Sequence, residues 1–365
     1  MKRLLILANS DSAIFKFRSE LIEALSKEYH IGIGIPFGQY MELIKNDKYE
    51  FFDIPINRHG LNPFEDLKLL LRYKKLMRSF KPDAVLLYTI KPNLYGSIAA
   101  SKYNIPCLCN ITGLGSALEK PGLLQSLLIK MYRYAMKTEH TIFFQNAHGK
   151  EFFIEKGIGN EKQYVLLPGS GVNLERFKLL PYPKDENVRF FFIARVIKEK
   201  GIDQFLYVAQ RFKEEKKDAE FHVCGACEEA YDDILKDADA KEIIKYHGLV
   251  KDMRAMYEMA SCIVLPSYYP EGQSNVLLEG AASGRPLITT KHPGCQEAVD
   301  DGISGFLVNK KDEKDLYGKA CNILFMSGEE RMEMGLAGRR KMEKEFDRNI
   351  VITAYQRRLK LIEQT

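Results

Sequence analysis

The chain has 365 residues, 45% hydrophobic and 28% charged, with seven cysteines and a formal net charge of +5. That length points to two domains with a substantial core, and the ordinary composition excludes a disordered or low-complexity chain. No apolar run approaches a membrane span, and the scattered cysteines show no disulfide framework, which favours a reducing cytoplasm. The charge is uneven: Lys and Arg exceed Asp and Glu by 8 over residues 1–180, leaving −3 beyond. A basic first half suits nucleic acid, an anionic membrane or a phosphorylated lipid. No nucleic-acid motif accompanies it, so the membrane surface is preferred.

Met1-Lys2-Arg3 before an apolar run superficially looks like a signal peptide. The run is short and Asn9-Ser10-Asp11 follows at once, so a first strand over 4–8 is the reading. The pattern then predicts a helix over 15–28, a strand over 30–36, a short helix over 41–46 and a strand over 49–56. A helix over 63–80 and a strand over 84–89 follow. This alternation predicts an α/β domain with a doubly wound parallel sheet. The first turn, Asn9-Ser10-Asp11-Ser12-Ala13, lacks the GxGxxG dinucleotide fingerprint.

The 63–80 helix interleaves Lys68, Arg72, Lys74, Lys75 and Arg78 with leucines; 123–137 repeats the pattern with Lys130, Arg133 and Lys137. Such helices either lie on anionic lipid or pack leucines into a core and solvate their lysines. Turns after two further strands, at 89–93 and 110–116, lie at carboxyl ends, where open α/β sheets bind ligands. A helix is expected over 94–102 and a strand over 141–146. Pro181 to Asp185 reads as a linker.

The second half opens with a strand over 188–193, followed by Ala194-Arg195-Val196-Ile197-Lys198-Glu199-Lys200-Gly201. Two cations at a strand end suit a departing diphosphate, which gains negative charge as its bond breaks. Cys224 and Cys227 form a CxxC pair without the second pair that zinc needs, so it reads as incidental. His247, at the end of a strand over 243–248, reads as structural. A strand over 262–267, the turn Tyr268-Tyr269-Pro270-Glu271-Gly272-Gln273-Ser274, a helix over 275–283 and a strand over 286–290 form a βαβ unit. Its turn offers backbone N–H groups and a helix N-terminus to an anion. Glu271 and Glu279, about 12 Å apart if the span were regular helix, are too distant to share one proton. They suit two ends of an elongated ligand. Cys295-Gln296-Glu297 follows Pro293-Gly294 at a predicted helix start with free N–H groups. Helices beginning near 312 and 329 and one over 350–363 complete the chain.

The Glu271-x7-Glu279 spacing, between Pro266-Ser267 and Pro293-Gly294, resembles the nucleotide-sugar site of retaining glycosyltransferases of family four (glycosyl transferases group 1). Arg195 to Gly201 is similar to that family's diphosphate-binding motif, and residues 164–177 to its segment leading into the hinge. The resemblance spans nearly the full chain and is strongest over 164–300. It implies the GT-B fold, two Rossmann-like domains facing across a cleft: 1–180 for the acceptor, 181–349 for the nucleotide-sugar, with helix 350–365 packing back on the first. Arg195, Lys200 and Glu271 are then catalytic. Gly169, Val250, Gly272, Gln273, Ser274, Asn275, Val276 and Glu279 bind donor, and Arg18, Thr112 and Gly113 bind acceptor. Arg18 keeps a second reading, a solvated residue on an exposed helix face. Many family members have a histidine near Thr112 that contacts the donor sugar; this chain has none there.

The implied reaction moves a sugar from a nucleotide diphosphate, expected to be UDP-linked, to a lipid-diphosphate-linked saccharide in capsule or surface glycan synthesis. No metal or other cofactor is expected. The location implied is cytoplasmic, peripheral at the inner membrane face, and the oligomeric state is not legible. Two other readings stay open: a UDP-sugar 2-epimerase of the same fold, which would epimerise the donor alone, and a non-catalytic nucleotide-sugar-binding scaffold.

Overall fold

The computed structural model describes residues 1–57, 62–137, 141–184, 187–228 and 230–364. It divides into two compact units, Met1–Ser170 with Val351–Thr365, and Gly171–Ile350.

In the first unit seven parallel strands lie in the order β3-β2-β1-β4-β5-β6-β7. They are β1 (Lys2–Leu7), β2 (Tyr29–Ile35), β3 (Glu50–Asp53), β4 (Ala84–Tyr88), β5 (Cys107–Ile111), β6 (Thr141–Phe144) and β7 (Tyr164–Leu166). Leu4 to Leu7 form an unbroken apolar run because both faces of a parallel sheet are covered. Leu5, Leu7, Val85 and Leu87 meet the helices Pro63–Phe80 and Leu123–Ala135. On the other face Leu4, Ile6, Leu86 and Phe143 meet Ser19–Leu25 and the last helix, Arg348–Glu363, through Val351, Tyr355 and Leu359.

The helix expected over 15–28 is two helices. Ser10 caps Asp11–Phe17 by accepting from the Ala13 N–H, and the chain bends at Arg18 before Ser19–Leu25. The Ser19 hydroxyl bonds back to the Phe15 carbonyl, a local competitor to the helix ladder. The bend turns Arg18 inward, where it is 6% exposed. The reading of Arg18 as a solvated helix-face residue is therefore wrong.

In the second unit six parallel strands run β10-β9-β8-β11-β12-β13. They are β8 (Val188–Ile193), β9 (Ala219–Cys224), β10 (Lys245–Gly248), β11 (Cys262–Leu265), β12 (Leu287–Thr290) and β13 (Gly305–Val308). Residues 171–180 belong to this unit, where Val172 enters the core. Of the expected linker, Pro181 and Tyr182 pack on the second unit, and Asp185 lies outside the described residues. Fully buried Arg285 fastens this segment by donating to the carbonyls of Pro181 and Tyr257, both at 2.7 Å.

His247, read from the sequence as structural, is exposed and packs its ring on a neighbouring strand. Its ring stacks on His222, which stacks on Phe191, and His222 Nδ1 and His247 Nε2 are 2.9 Å apart. Burial pushes His222 down to about 4, although Glu220 opposes the shift by accepting from its other nitrogen. Burial disfavours the charge of Glu220 too, but Lys245 and His222 hold it at about 2. With its folded pKa below the ordinary 6.5, His222 contributes stability that is fully present above pH 6.5 and lost as pH falls through about 4. Taking the wild type from pH 7 to pH 5 should therefore cost roughly 1–2 kcal/mol more than the same change in His222→Gln. Urea unfolding at the two pH values measures the difference; equal losses would remove His222 from the acid response.

Candidate active site

Strands β8 and β11 are neighbours, so the loops leaving their carboxyl ends lie side by side although about 70 residues separate them. Lys198–Lys200 forms one tight 3-10 turn, ended by Gly201 at φ +83°. A Cβ on Gly201 would lie 2.3 Å from the Pro266 carbonyl oxygen, so only glycine permits this approach. The Tyr268 N–H then donates to the Glu199 carbonyl at 2.8 Å. With the loops fastened, Lys200 Nζ pairs with Glu271 Oε1; the side chains are 10% and 15% exposed. Arg195 ends β8 on the other flank, with Nη1 2.6 Å from Glu228 Oε2. Both cations approach the Tyr269 ring, whose centre is 5.4 Å from the Arg195 guanidinium and 5.1 Å from Lys200 Nζ. Burial works against the Arg195 charge, but Glu228 and Tyr269 raise its pKa.

The helix Asn275–Ala282 starts at Ser274, whose hydroxyl makes no cap bond. Its first-turn N–H groups, at Asn275 and Val276, thus lack a capping bond from that side chain. The Ser274 N–H donates to the Gly294 carbonyl at 2.7 Å, tying the Glu271–Ser274 turn to the loop after β12. Gln273 is buried, with neither side-chain amide atom hydrogen-bonded. Gly272 is buried beside it. Glu279 projects from the helix and accepts from the Tyr257 hydroxyl at 3.0 Å. Burial, then Glu279, pushes that hydroxyl's pKa far up, so it stays a donor. Val250 lies half-buried in the loop after β10 and packs against the core of the second unit.

The expected free N–H groups at Cys295-Gln296-Glu297 are not free. Cys295 and Gln296 both donate to the His292 carbonyl, and the Gly294 N–H goes to Glu297. The turn closes on itself. Cys224 and Cys227 are free thiols.

The other expected site residues lie in the first unit. Gly169, at φ +61°, precedes Ser170, whose hydroxyl accepts from Arg18 Nη1 at 2.7 Å. Thr112 and Gly113 are half-buried after β5. At the end of β4, Thr89 takes φ +74°, a left-handed conformation that a β-branched residue adopts at a cost of about 1–3 kcal/mol. The strand expected through Thr89 therefore stops at Tyr88. The structure thus brings Arg195 and Lys200 to one ring, with Glu271 paired to Lys200, and joins Arg18 with the Gly169-Ser170 turn. Sequence reasoning missed Tyr269, Glu228, Tyr257 and Ser170. Tyr269 stands two residues before Glu271, and that proximity was its one signal; the others carry none.

Residues 187–325 match the family described as Glycosyl transferases group 1, and residues 3–146 match Glycosyl transferase 4-like. A similar curated protein is N,N'-diacetylbacillosaminyl-diphospho-undecaprenol alpha-1,3-N-acetylgalactosaminyltransferase of Campylobacter jejuni, 25% identical over 97% of both chains. Another is UDP-Gal:alpha-D-GlcNAc-diphosphoundecaprenol alpha-1,3-galactosyltransferase of Escherichia coli, 24% identical over 76% of this chain and 74% of its own. A glycosyltransferase structure from Rickettsia africae superposes with a TM-score of 0.81 at 18% identity, covering 100% of this chain and 99% of the other. Two parallel sheets of seven and six strands, each covered by helices, agree with the matched structure. The chain belongs to the group 1 and 4-like glycosyltransferases, enzymes of the GT-B fold.

Proposed function

We propose that the chain transfers a sugar, with retention at the anomeric carbon, from a UDP-linked donor to a saccharide carried on a lipid diphosphate. The observation that carries this reading is the Lys200–Glu271 pair, with Arg195 and Lys200 both at the Tyr269 ring. Both named relatives carry a diphosphate-linked undecaprenol acceptor in their names, and one names a UDP-sugar. They support the class of acceptor and donor.

The second unit holds the donor. Val250 lies along the base, Glu279, aimed by Tyr257, binds the ribose, and the backbone from Gly272 to Val276 meets phosphate and sugar. Gln273 offers its buried amide to the same ligand. Arriving diphosphate draws Lys200 from Glu271, which frees the carboxylate to accept from sugar hydroxyls. Arg195 and Lys200 then stabilise the negative charge that grows on the leaving diphosphate. The acceptor hydroxyl attacks on the face that diphosphate leaves, and a diphosphate oxygen takes its proton. Arg18, Thr112 and Gly113 serve the acceptor.

The acceptor reading requires a membrane surface, and the first unit carries one suited to it. Phe64, Leu67 and Leu71 are exposed along one side of the helix Pro63–Phe80, beside Lys68, Arg72 and Lys75. Leu123, Leu127 and Tyr134 are exposed on Leu123–Ala135, beside Lys130 and Arg133. Both helices cover the same sheet face, so both stripes point away from it. Among the described residues no helix is long and apolar enough to cross a membrane. Apolar side chains flanked by lysine and arginine suit insertion at an anionic interface.

Three outcomes test this reading. Arg195→Ala removes a half-exposed cation, so it should fold normally and lose turnover about a hundredfold, roughly 3 kcal/mol of barrier, with donor KM little changed. Lys200→Ala should lose as much turnover and also melt lower, because Glu271 keeps a buried charge with no cation. A raised KM at unchanged kcat in both would refute the leaving-group role. Activity should also survive EDTA, since two side-chain cations supply the charge; loss with rescue by added Mg²⁺ would overturn that account. In liposome sedimentation, Arg72→Glu with Lys75→Glu and Arg78→Glu should release the protein from anionic vesicles, each reversed cation removing about 1 kcal/mol or more of attraction. Equal binding by wild type and triple variant would reduce the helix to a core-packing element.

A further inference from the structure

Two fully or nearly buried arginines of the second unit are held by backbone oxygens. Arg285 donates to the carbonyls of Tyr257 and Pro181, with longer contacts to Leu180, Gly284 and Glu258. Arg331 donates to those of Met326, Ile323 and Leu324. Each guanidinium is thereby part of the framework.

Arg18 in the first unit is different. It is 6% exposed, yet only Nη1 is engaged, by the Phe17 carbonyl at 3.0 Å and the Ser170 hydroxyl at 2.7 Å. Among the described residues no carboxylate lies within ion-pair distance. Its guanidinium carbon lies 4.7 Å from the centre of the Tyr88 ring. Tyr88 donates to the Tyr355 hydroxyl at 3.2 Å, and burial raises the pKa of both phenols, so neither supplies a negative charge. The unengaged N–H groups of Arg18 are not among the side-chain atoms sealed from solvent without a partner. They open outward.

The polar groups around this cation are also incompletely used. Asn110 is the register partner of Tyr88 on the next strand and is fully buried. Both its side-chain amide atoms are sealed from solvent without a hydrogen-bond partner. Thr89 follows Tyr88 in the strained conformation described above, with its hydroxyl buried and unpaired. A guanidinium removed from water is costly unless an anion or several acceptors meet it. Its planar fork matches two oxygens of a phosphoryl group.

We propose that Arg18, with the Ser170 hydroxyl, seats a phosphoryl group of a diphosphate. This rests on the function proposed above, which supplies two diphosphates, one on the lipid acceptor and one on the nucleotide. The seat gives Arg18 the anion that the protein itself withholds.

The test uses the full chain and isothermal titration with two pairs of ligands. One pair is a short-prenyl diphosphate sugar and the same sugar on a phosphate-free alkyl chain. The other is UDP and uridine. Arg18→Gln should weaken one phosphorylated member about ten- to hundredfold and leave its phosphate-free mate within about threefold. Loss confined to the prenyl diphosphate makes the acceptor the source; loss confined to UDP makes it the nucleotide. Arg18→Lys should recover part of the loss, and Ser170→Ala, which keeps the cation, should show a smaller loss for the same ligand. If all four affinities survive in a folded Arg18→Gln, or if phosphorylated and phosphate-free ligands weaken alike, the seat is disproved. Should Arg18→Gln not fold, Ser170→Ala and Arg18→Lys carry the decision, and unchanged phosphate preference in both disproves it. These are binding readouts, so absence of sugar transfer to any acceptor would refute the proposed function without deciding the seat.

Discussion

The Lys200–Glu271 ion pair is the contact on which the second unit's site depends. Two charges this poorly exposed are each expensive alone, and together they neutralise one another. Such a pair adds little to net stability. Its effect is geometric: it holds the loop after β8 against the loop after β11. The backbone makes the pair possible, because Gly201 lets the first loop touch Pro266 and the Tyr268 N–H bonds across to Glu199. Sheet order is the deeper cause. With β8 beside β11, right-handed crossovers deliver two distant segments to one edge.

The same logic explains what the sequence made legible. Alternating apolar runs and amphipathic stretches disclosed both parallel sheets; Lys200 and Glu271 stood out because each adjoins a glycine in the loop after a strand, and Arg195 because it closely follows a strand. What stayed hidden depends on three-dimensional partners. Nothing in Glu228 or Tyr257 marks them as the groups that orient Arg195 and Glu279, since they lie on other elements. The free N–H groups expected after Gly294 were lost to His292 and Glu297, a local closure that residue type does not announce. Arg18 was misjudged in one reading because helical periodicity ignores a bend, and Ser19's bond to the Phe15 carbonyl accompanies one.

Burial alone did not separate functional from structural cations; the acceptors around them did. Arg285 and Lys200 are both withdrawn from water, but Arg285 meets carbonyls fixed in the backbone and Lys200 meets one carboxylate on a loop. Backbone oxygens cannot leave without unfolding, so Arg285 is a permanent fastening for the segment at Leu180 and Pro181. A side-chain carboxylate can exchange its partner for a ligand oxygen at small cost in geometry.

Arg18 stands beyond both cases, because the fold gives it neither a set of carbonyls nor a carboxylate. The surroundings carry further local cost in the left-handed Thr89 and the unpaired oxygen of Asn110. Strain and unmet hydrogen-bonding capacity at one sheet edge persist only when the rest of the unit over-determines them. Here the seven-stranded sheet does so: β4 and β5 are interior strands with every residue buried, and Tyr355 of the last helix closes over them. The rigid sheet is what allows its carboxyl edge to hold groups that are satisfied only by something the chain does not contain.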